Sequence, residues 1–200
     1  MRRLLAILSA ALIAAAGAGL AQDTGGWTTY QVGDLELSLP SGANWTVKQD
    51  EASLLVGKAD FLPYGARQRI LSVLVVPHSY PEVFDDWIAE EIAMSYREWE
   101  VSDMRANAPF DLDAVEFGEE VQAERTFYFL KFFQISRDPA VSGWSEGRQE
   151  LYLVFPPDYA QKRIFYKMFF LALCVHPNCG RDDLDVSYLK QTLDSLSFGP

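Results

Sequence analysis

The chain has 200 residues, 49% hydrophobic and 14% aromatic, with 28 acidic against 17 basic side chains and a formal net charge of −11 at pH 7. That balance leaves no basic footprint for nucleic acid or an anionic membrane, and the composition lies far from that of disordered chains. The length suits one well-buried domain and is short for two.

At the N-terminus, Met1, Arg2 and Arg3 precede an apolar, uncharged run over 4–16, and Gly19 and Ala21 stand at the two positions a signal peptidase inspects. This pattern predicts a secretory signal peptide over 1–21, cleaved after Ala21, with Sec export to the periplasm. The apolar run is shorter than the roughly 20 residues of a bilayer span, so neither a retained anchor nor stable membrane insertion after cleavage is expected. The Arg-Arg pair lacks the polar lead-in of a twin-arginine signal, and no cysteine near the cleavage point offers a lipid attachment site. Residues 22–31, polar apart from Trp27 and Tyr30, read as an N-terminal arm, either frayed or docking on a partner. Residues 32–200 read as a single α+β domain.

Within that domain, 32–39 sets Leu35, Leu37 and Leu39 against Asp34, Glu36 and Ser38, the period of a strand with one wet face. Residues 45–48 and 53–57 read as a short hairpin, 61–65 as a loop and 70–76 as a fourth strand. A helix follows. Ser79 and Glu82 have capping-box spacing, and Phe84, Trp87, Ile88, Ile92, Tyr96 and Trp99 recur on one side as an expected core stripe. From 104 to 120 the periodicity fades into an acidic connection containing Pro109 and Gly118. Irregular structure is expected there, with a short strand near 114–117. Asp111, Asp113, Glu116, Glu119 and Glu120 lack the D-x-[DN]-x-[DN]-G loop that wraps calcium and read as solvated surface.

Three long strands follow over 124–136, 148–155 and 163–175. In the first, Phe127, Phe129, Phe133 and Ile135 oppose Tyr128, Leu130 and Phe132, so both faces need cover and central positions are expected. Lys167 interrupts the last of the three. Asp138, Pro139, Ser142 and Gly143, then Pro156, Pro157 and Asp158, punctuate the turns. A second helix, capped by Asp182 or Asp183, presents Val186, Leu189, Leu193 and Leu196 on one stripe, and Phe198 ends in a short extended tail.

Both cysteines fall in CVHPNC, as Cys174 and Cys179. In an exported chain they read as a disulfide, with Pro177 and Asn178 favouring the turn and a loop-closure contribution of about 2 kcal/mol. The competing reading has Cys174, His176 and Cys179 bind zinc or copper. A structural zinc site wants four ligands, and His78 is the one other histidine. The spacing also misses C-x-x-C and C-x-x-C-H. No metal, cofactor or catalytic residue is therefore assigned. There is no G-x-S-x-G elbow, and Ser142-Gly143-Trp144-Ser145 reads as a turn. Paired carboxylates remain as the one catalytic route.

Long antiparallel strands with amphipathic helices to cover them predict an α/β/α sandwich around a mainly antiparallel sheet. The stretch LELSLPSGANWTVK, the helix after the first strands, the three-strand meander and the ending YLKQTLDSLSF resemble the PsbP and DcrB-like superfamily over 32–198. Its local signatures here run from Pro40 through Ser41 and Gly42 to Trp45, and from Leu193 through Ser195 to Phe198. The resemblance implies a PsbP-like fold, with Trp45 packed on the sheet and Phe198 sealing the core. It implies an accessory or binding role without catalytic residues or cofactor. DcrB-like bacterial members are often lipoproteins, and this chain departs from them in lacking a lipidation cysteine. The expected function is a soluble exported accessory domain that binds a protein partner through a sheet edge or an exposed loop. Two alternatives are a periplasmic carrier with an aromatic-lined pocket between sheet and helix, and a carboxylate-based hydrolase.

Overall fold

Among the segments that residues 26–41, 45–62, 65–77, 88–175 and 179–199 of the computed structural model describe, the most apolar sequence takes the most central place. The last long strand of the meander, Ile164–Cys174, pairs antiparallel on both sides, and its side chains are buried or half-buried throughout. A strand apolar on both faces is stable only where both faces are covered, and the rest of the chain is arranged to cover this one.

In chain order the strands are β1 (Gly26–Val32), β2 (Leu35–Ser41), β3 (Trp45–Gln49), β4 (Ser53–Leu62), β5 (Gly65–Pro77), β6 (Phe110–Gln122), β7 (Arg125–Ser136), β8 (Glu146–Val154), β9 (Ile164–Cys174) and β10 (Ser197–Phe198). The helices are α1 (Ala89–Asn107), the single turns α2 (Pro139–Ser142) and α3 (Tyr159–Lys162), and α4 (Tyr188–Asp194). Seven strands form one antiparallel sheet in the order β3-β4-β5-β9-β8-β7-β6, and β1-β2-β10 form a second, smaller sheet.

Helix α1 covers one face of the large sheet, packing Ile92, Ala93, Tyr96, Val101 and Met104 onto Leu130, Phe132, Leu151, Leu153 and Phe165. On the opposite face, Val32, Leu35, Leu37 and Leu39 of the small sheet and Leu193 and Leu196 at α4 meet Phe127, Phe129, Tyr152, Met168 and Phe170. The result is an α+β sandwich with mainly antiparallel sheets, whose third layer is a small sheet joined by α4. Trp45 and Phe198 both pack against this second core.

Several expectations are corrected. The arm expected over 22–31 contains β1, which pairs with β2 across Gly33 and Asp34. The φ of +56° at Gly33 is the left-handed geometry such a turn demands, and the Asp34 N–H donates to the Tyr166 hydroxyl at 2.9 Å. Of the loop expected over 61–65, residues 61 and 62 belong to β4 and Gly65 opens β5 opposite Leu62, and 63 and 64 lie outside the described residues.

Helix α1 runs on to Asn107, past the point where periodicity fades. Its buried stripe is rotated from the expected one: Ile92 and Tyr96 are buried, whereas Ile88 and Trp99 are 55% and 54% exposed, and Arg97 and Glu100 are buried in their place. The Ser79 and Glu82 box, Phe84 and Trp87 lie outside the described residues. The acidic connection is the full strand β6. A register shift between Asp113 and Glu116, with Ala114 at φ +50°, forms a β-bulge within it. Asp182 and Asp183 lie in a 3-10 turn, Arg181–Asp183, ahead of α4.

Candidate interaction surface

The cysteines expected as a disulfide are both buried, Cys174 at the end of β9 and Cys179 just before the 3-10 turn. Their sulfurs are at disulfide distance, 2.07 Å, with Cα atoms 5.5 Å apart. His78, His176, Pro177 and Asn178 lie outside the described residues. Among the described residues, no group of three or more His, Cys, Asp or Glu side chains is placed to hold a metal ion, and no helix is long and apolar enough to cross a membrane.

The segment after Cys179 ties three strands together. Arg181 reaches Asp113 of β6 at 2.6 Å and Glu146 of β8 at 3.3 Å, and its guanidinium stands 4.6 Å from the Phe133 ring centroid on β7. The hydrogen bond from Arg181 holds the Asp113 carboxyl below the usual carboxylate range, and the two carboxylates push the Arg181 guanidinium upward in turn.

The buried charged side chains are engaged inside the fold. Arg97 of α1 donates through Nε to the Ala93 carbonyl at 3.1 Å and through Nη1 to the Gly118 and Phe129 carbonyls at 2.6 and 3.0 Å. Burial lowers the pKa of its guanidinium. Glu100 of α1 pairs with Lys167 of β9 at 2.6 Å. That pair fastens the helix to the central strand and explains the lysine that interrupts an otherwise apolar run. Glu150 of β8 accepts from the Tyr152 hydroxyl at 2.9 Å and pairs with Arg148 at 2.5 Å. Burial, together with the Glu150 carboxylate, raises the Tyr152 pKa well beyond its ordinary value.

The Ser142 hydroxyl is 2.7 Å from that of Ser136 and donates to the Trp144 carbonyl at 2.9 Å, so the segment expected as a turn uses its serine within the turn. Several aromatic residues pack edge to face in the interior, as Tyr152 does with Phe127 and Phe170 and Tyr96 does with Phe165.

Two depressions are formed by described residues at the surface. One, of about 210 Å³, is lined by Asp34, Pro156, Pro157, Asp158, Lys162, Phe198 and Gly199. Lys162 lies there 2.6 Å from Asp34 and 2.8 Å from Asp158, and those bonds raise its pKa. The other, of about 280 Å³, runs between α1 and β6, with Glu98, Val101, Ser102, Arg105 and Phe117 around it.

Strand β6 is an end of the seven-stranded sheet among the described residues, and no residue of it is fully buried. Three of its five acidic side chains are engaged: Asp111 with Arg137 at 2.8 Å, Asp113 with Arg181, and Glu120 with Lys131 at 3.5 Å. Glu116 and Glu119 are exposed and form no ion pair among the described residues. Sequence reasoning placed these acids on the surface and expected a short strand near 114–117, but missed that the strand runs the whole way from Phe110 to Gln122. The signal was the alternation of Phe117, Glu119 and Val121 with Glu116, Gly118 and Glu120.

No protein-family model and no curated protein matches this chain. Among solved structures it is similar to the cyanobacterial PsbP (CyanoP) from Synechocystis sp. PCC 6803, with 11% identity over 92% of this chain and 98% of that one and a TM-score of 0.50. The fold is PsbP-like. The chain is also similar to LpqN, involved in cell envelope biogenesis of Mycobacterium tuberculosis, at 11% identity over 88% of this chain and 92% of that one, with a TM-score of 0.47. The PsbP-like fold matches the expectation drawn from the LELSLPSGANWTVK stretch, the meander and the C-terminal helix.

Proposed function

We propose that this chain is an exported, non-enzymatic accessory domain that works by binding a protein partner. In this reading residues 1–21 are a signal peptide removed after Ala21, the mature protein resides in the periplasm, Cys174 and Cys179 form its one disulfide, and the folded domain begins with β1. The observation that carries the reading is the contrast between interior and edge. The buried charges Arg97 and Glu100 hold elements together and Glu150 is paired within β8, whereas β6 offers an open strand edge with the exposed carboxylates of Glu116 and Glu119. An open edge is a template for pairing with another chain. The carrier alternative has less support, since the aromatic side chains it would use fill the core.

Native mass spectrometry of the protein isolated from the periplasm, with and without reductant, tests the reading. The expected mass is that of the chain from Gln22, two hydrogens below its reduced form, free of metal or small molecule, with a protein complex retained under gentle extraction. A stoichiometric metal or organic mass would overturn it in favour of a metal site or the carrier.

A further inference from the structure

The groove between α1 and β6 and the open edge beside it form one continuous surface, and its chemistry selects an occupant. Resting on the reading of this chain as a protein-binding domain, we propose that β6 over residues 115–122 receives an extended, basic segment of the partner as an additional strand, with alternate side chains of that segment entering the groove against α1. The argument starts from the backbone. In an antiparallel pair every second residue turns its N–H and C=O away from the partner strand, and beyond β6 no described strand takes them up.

Side-chain placement then assigns the two faces. Phe117 stands opposite Leu130 and Val121 opposite Thr126, so both project to the α1 side together with Glu119. They are 45% and 73% exposed. Met94, Glu98, Val101 and Arg105 follow one another at steps of four, three and four along a single flank of α1, and three of those four line the groove with Phe117. A strand added about 4.8 Å beyond β6 would set its alternate side chains next to Phe117 and Val121. Apolar residues fit those positions.

Charge decides what lies between them. Glu116 stands opposite Lys131 and Glu120 opposite Phe127, on the face away from α1. Lys131 already serves Glu120, which leaves Glu116 to attract a cation on that face, while Glu119, on the α1 face between Phe117 and Val121, lies in the field of the buried Arg97. A second copy of this chain pairing β6 to β6 would bring these carboxylates against their own kind, and like charges on paired strands are destabilising. The fitting segment alternates aliphatic residues with lysine or arginine. Backbone pairing supplies its affinity and alternate side chains its specificity.

The probe is a peptide of about nine residues alternating valine and lysine, titrated into isotope-labelled mature protein, with an alternating valine and glutamate peptide as control. The expected result is chemical-shift change and slowed amide exchange confined to 115–122 and the facing flank of α1. Binding should weaken about tenfold in Glu116→Lys with Glu119→Lys and in Val121→Asp, and several-fold between about 50 and about 300 mM salt. All three positions are exposed, and unchanged circular dichroism confirms the fold of each variant.

Equal binding of the glutamate peptide, or shifts centred on β1 or β3, would overturn the assignment. So would absence of binding by the lysine peptide. A photo-crosslinking residue at Val121, Val47 or Trp27 in the host then separates the two levels of the argument. Partner adducts from Val47 or Trp27 but not Val121 remove the β6 edge and leave the protein-binding reading standing; no adduct from any of the three removes both.

Discussion

Strands β9 and β6 belong to one sheet and are nearly equal in length, 11 and 13 residues, yet they serve opposite purposes. β9 is hydrogen-bonded on both sides, to β5 and β8, and buries Phe165, Tyr166, Met168, Phe170 and Ala172. β6 is bonded on one side, to β7, and buries nothing fully. The apolar alternation of β9 would call for a strand in almost any context. β6 becomes a strand because β7 offers it a partner, and its own side chains are thereby released for surface chemistry. Position in the sheet, and not length or hydrogen bonding alone, divides the work between core and surface.

The sharpest test of that division removes a ring from the centre. Phe170 is fully buried on β9, and Phe170→Ala should cost about 3–5 kcal/mol of unfolding free energy through lost burial and the cavity left behind. The matching change on β6, Val121→Ala, should stay within about 0.5 kcal/mol. Urea midpoints of the two variants measure both, and similar costs would break the comparison.

A smaller effect is expected where β6 does take part in packing. Gly118 stands opposite Phe129, and a Cβ built on it would overlap the Phe129 ring. Gly118→Ala should therefore cost about 1–3 kcal/mol, with much of the loss recovered when Phe129→Leu is added. A neutral Gly118→Ala would mean that the ring has room to leave the edge, and that β6 is looser than its pairing indicates.

These two strands also mark how far the sequence could be read. The meander, its central position and the amphipathic end of the chain follow from side-chain alternation, which is a local signal. The buried face of α1 was misread because periodicity assigns charged residues to solvent. Arg97 and Glu100 are buried on account of partners distant in the chain, the Gly118 and Phe129 carbonyls and Lys167. The hairpin of β1 and β2 was signalled by Thr28, Thr29, Tyr30 and Val32 before Gly33 and Asp34, and was passed over in favour of a terminal arm. The cysteines were found because their spacing is short and their chemistry restricted. The β6 edge was not, because whether a strand is an edge is a property of sheet order, and sheet order is not local.

The smallest effect concerns the clasp that holds β6 from outside. Arg181 and Asp113 are both solvent-exposed, so screening limits what their pairing contributes. The pairing nevertheless carries a signature that the apolar packing of β9 lacks. The folded-state pKa of Asp113 lies below its unfolded value of about 3.9. Its stabilisation is therefore fully present above that value and is lost as pH falls through the folded pKa. Arg181→Ala should lower the urea midpoint slightly at pH 7, and the gap to the parent protein should narrow below about pH 4 and also in high salt. What remains in acid measures the stacking of Arg181 on Phe133. A gap that does not change with pH would assign the whole clasp to that stacking, and β6 would then be held by the same kind of contact that holds β9.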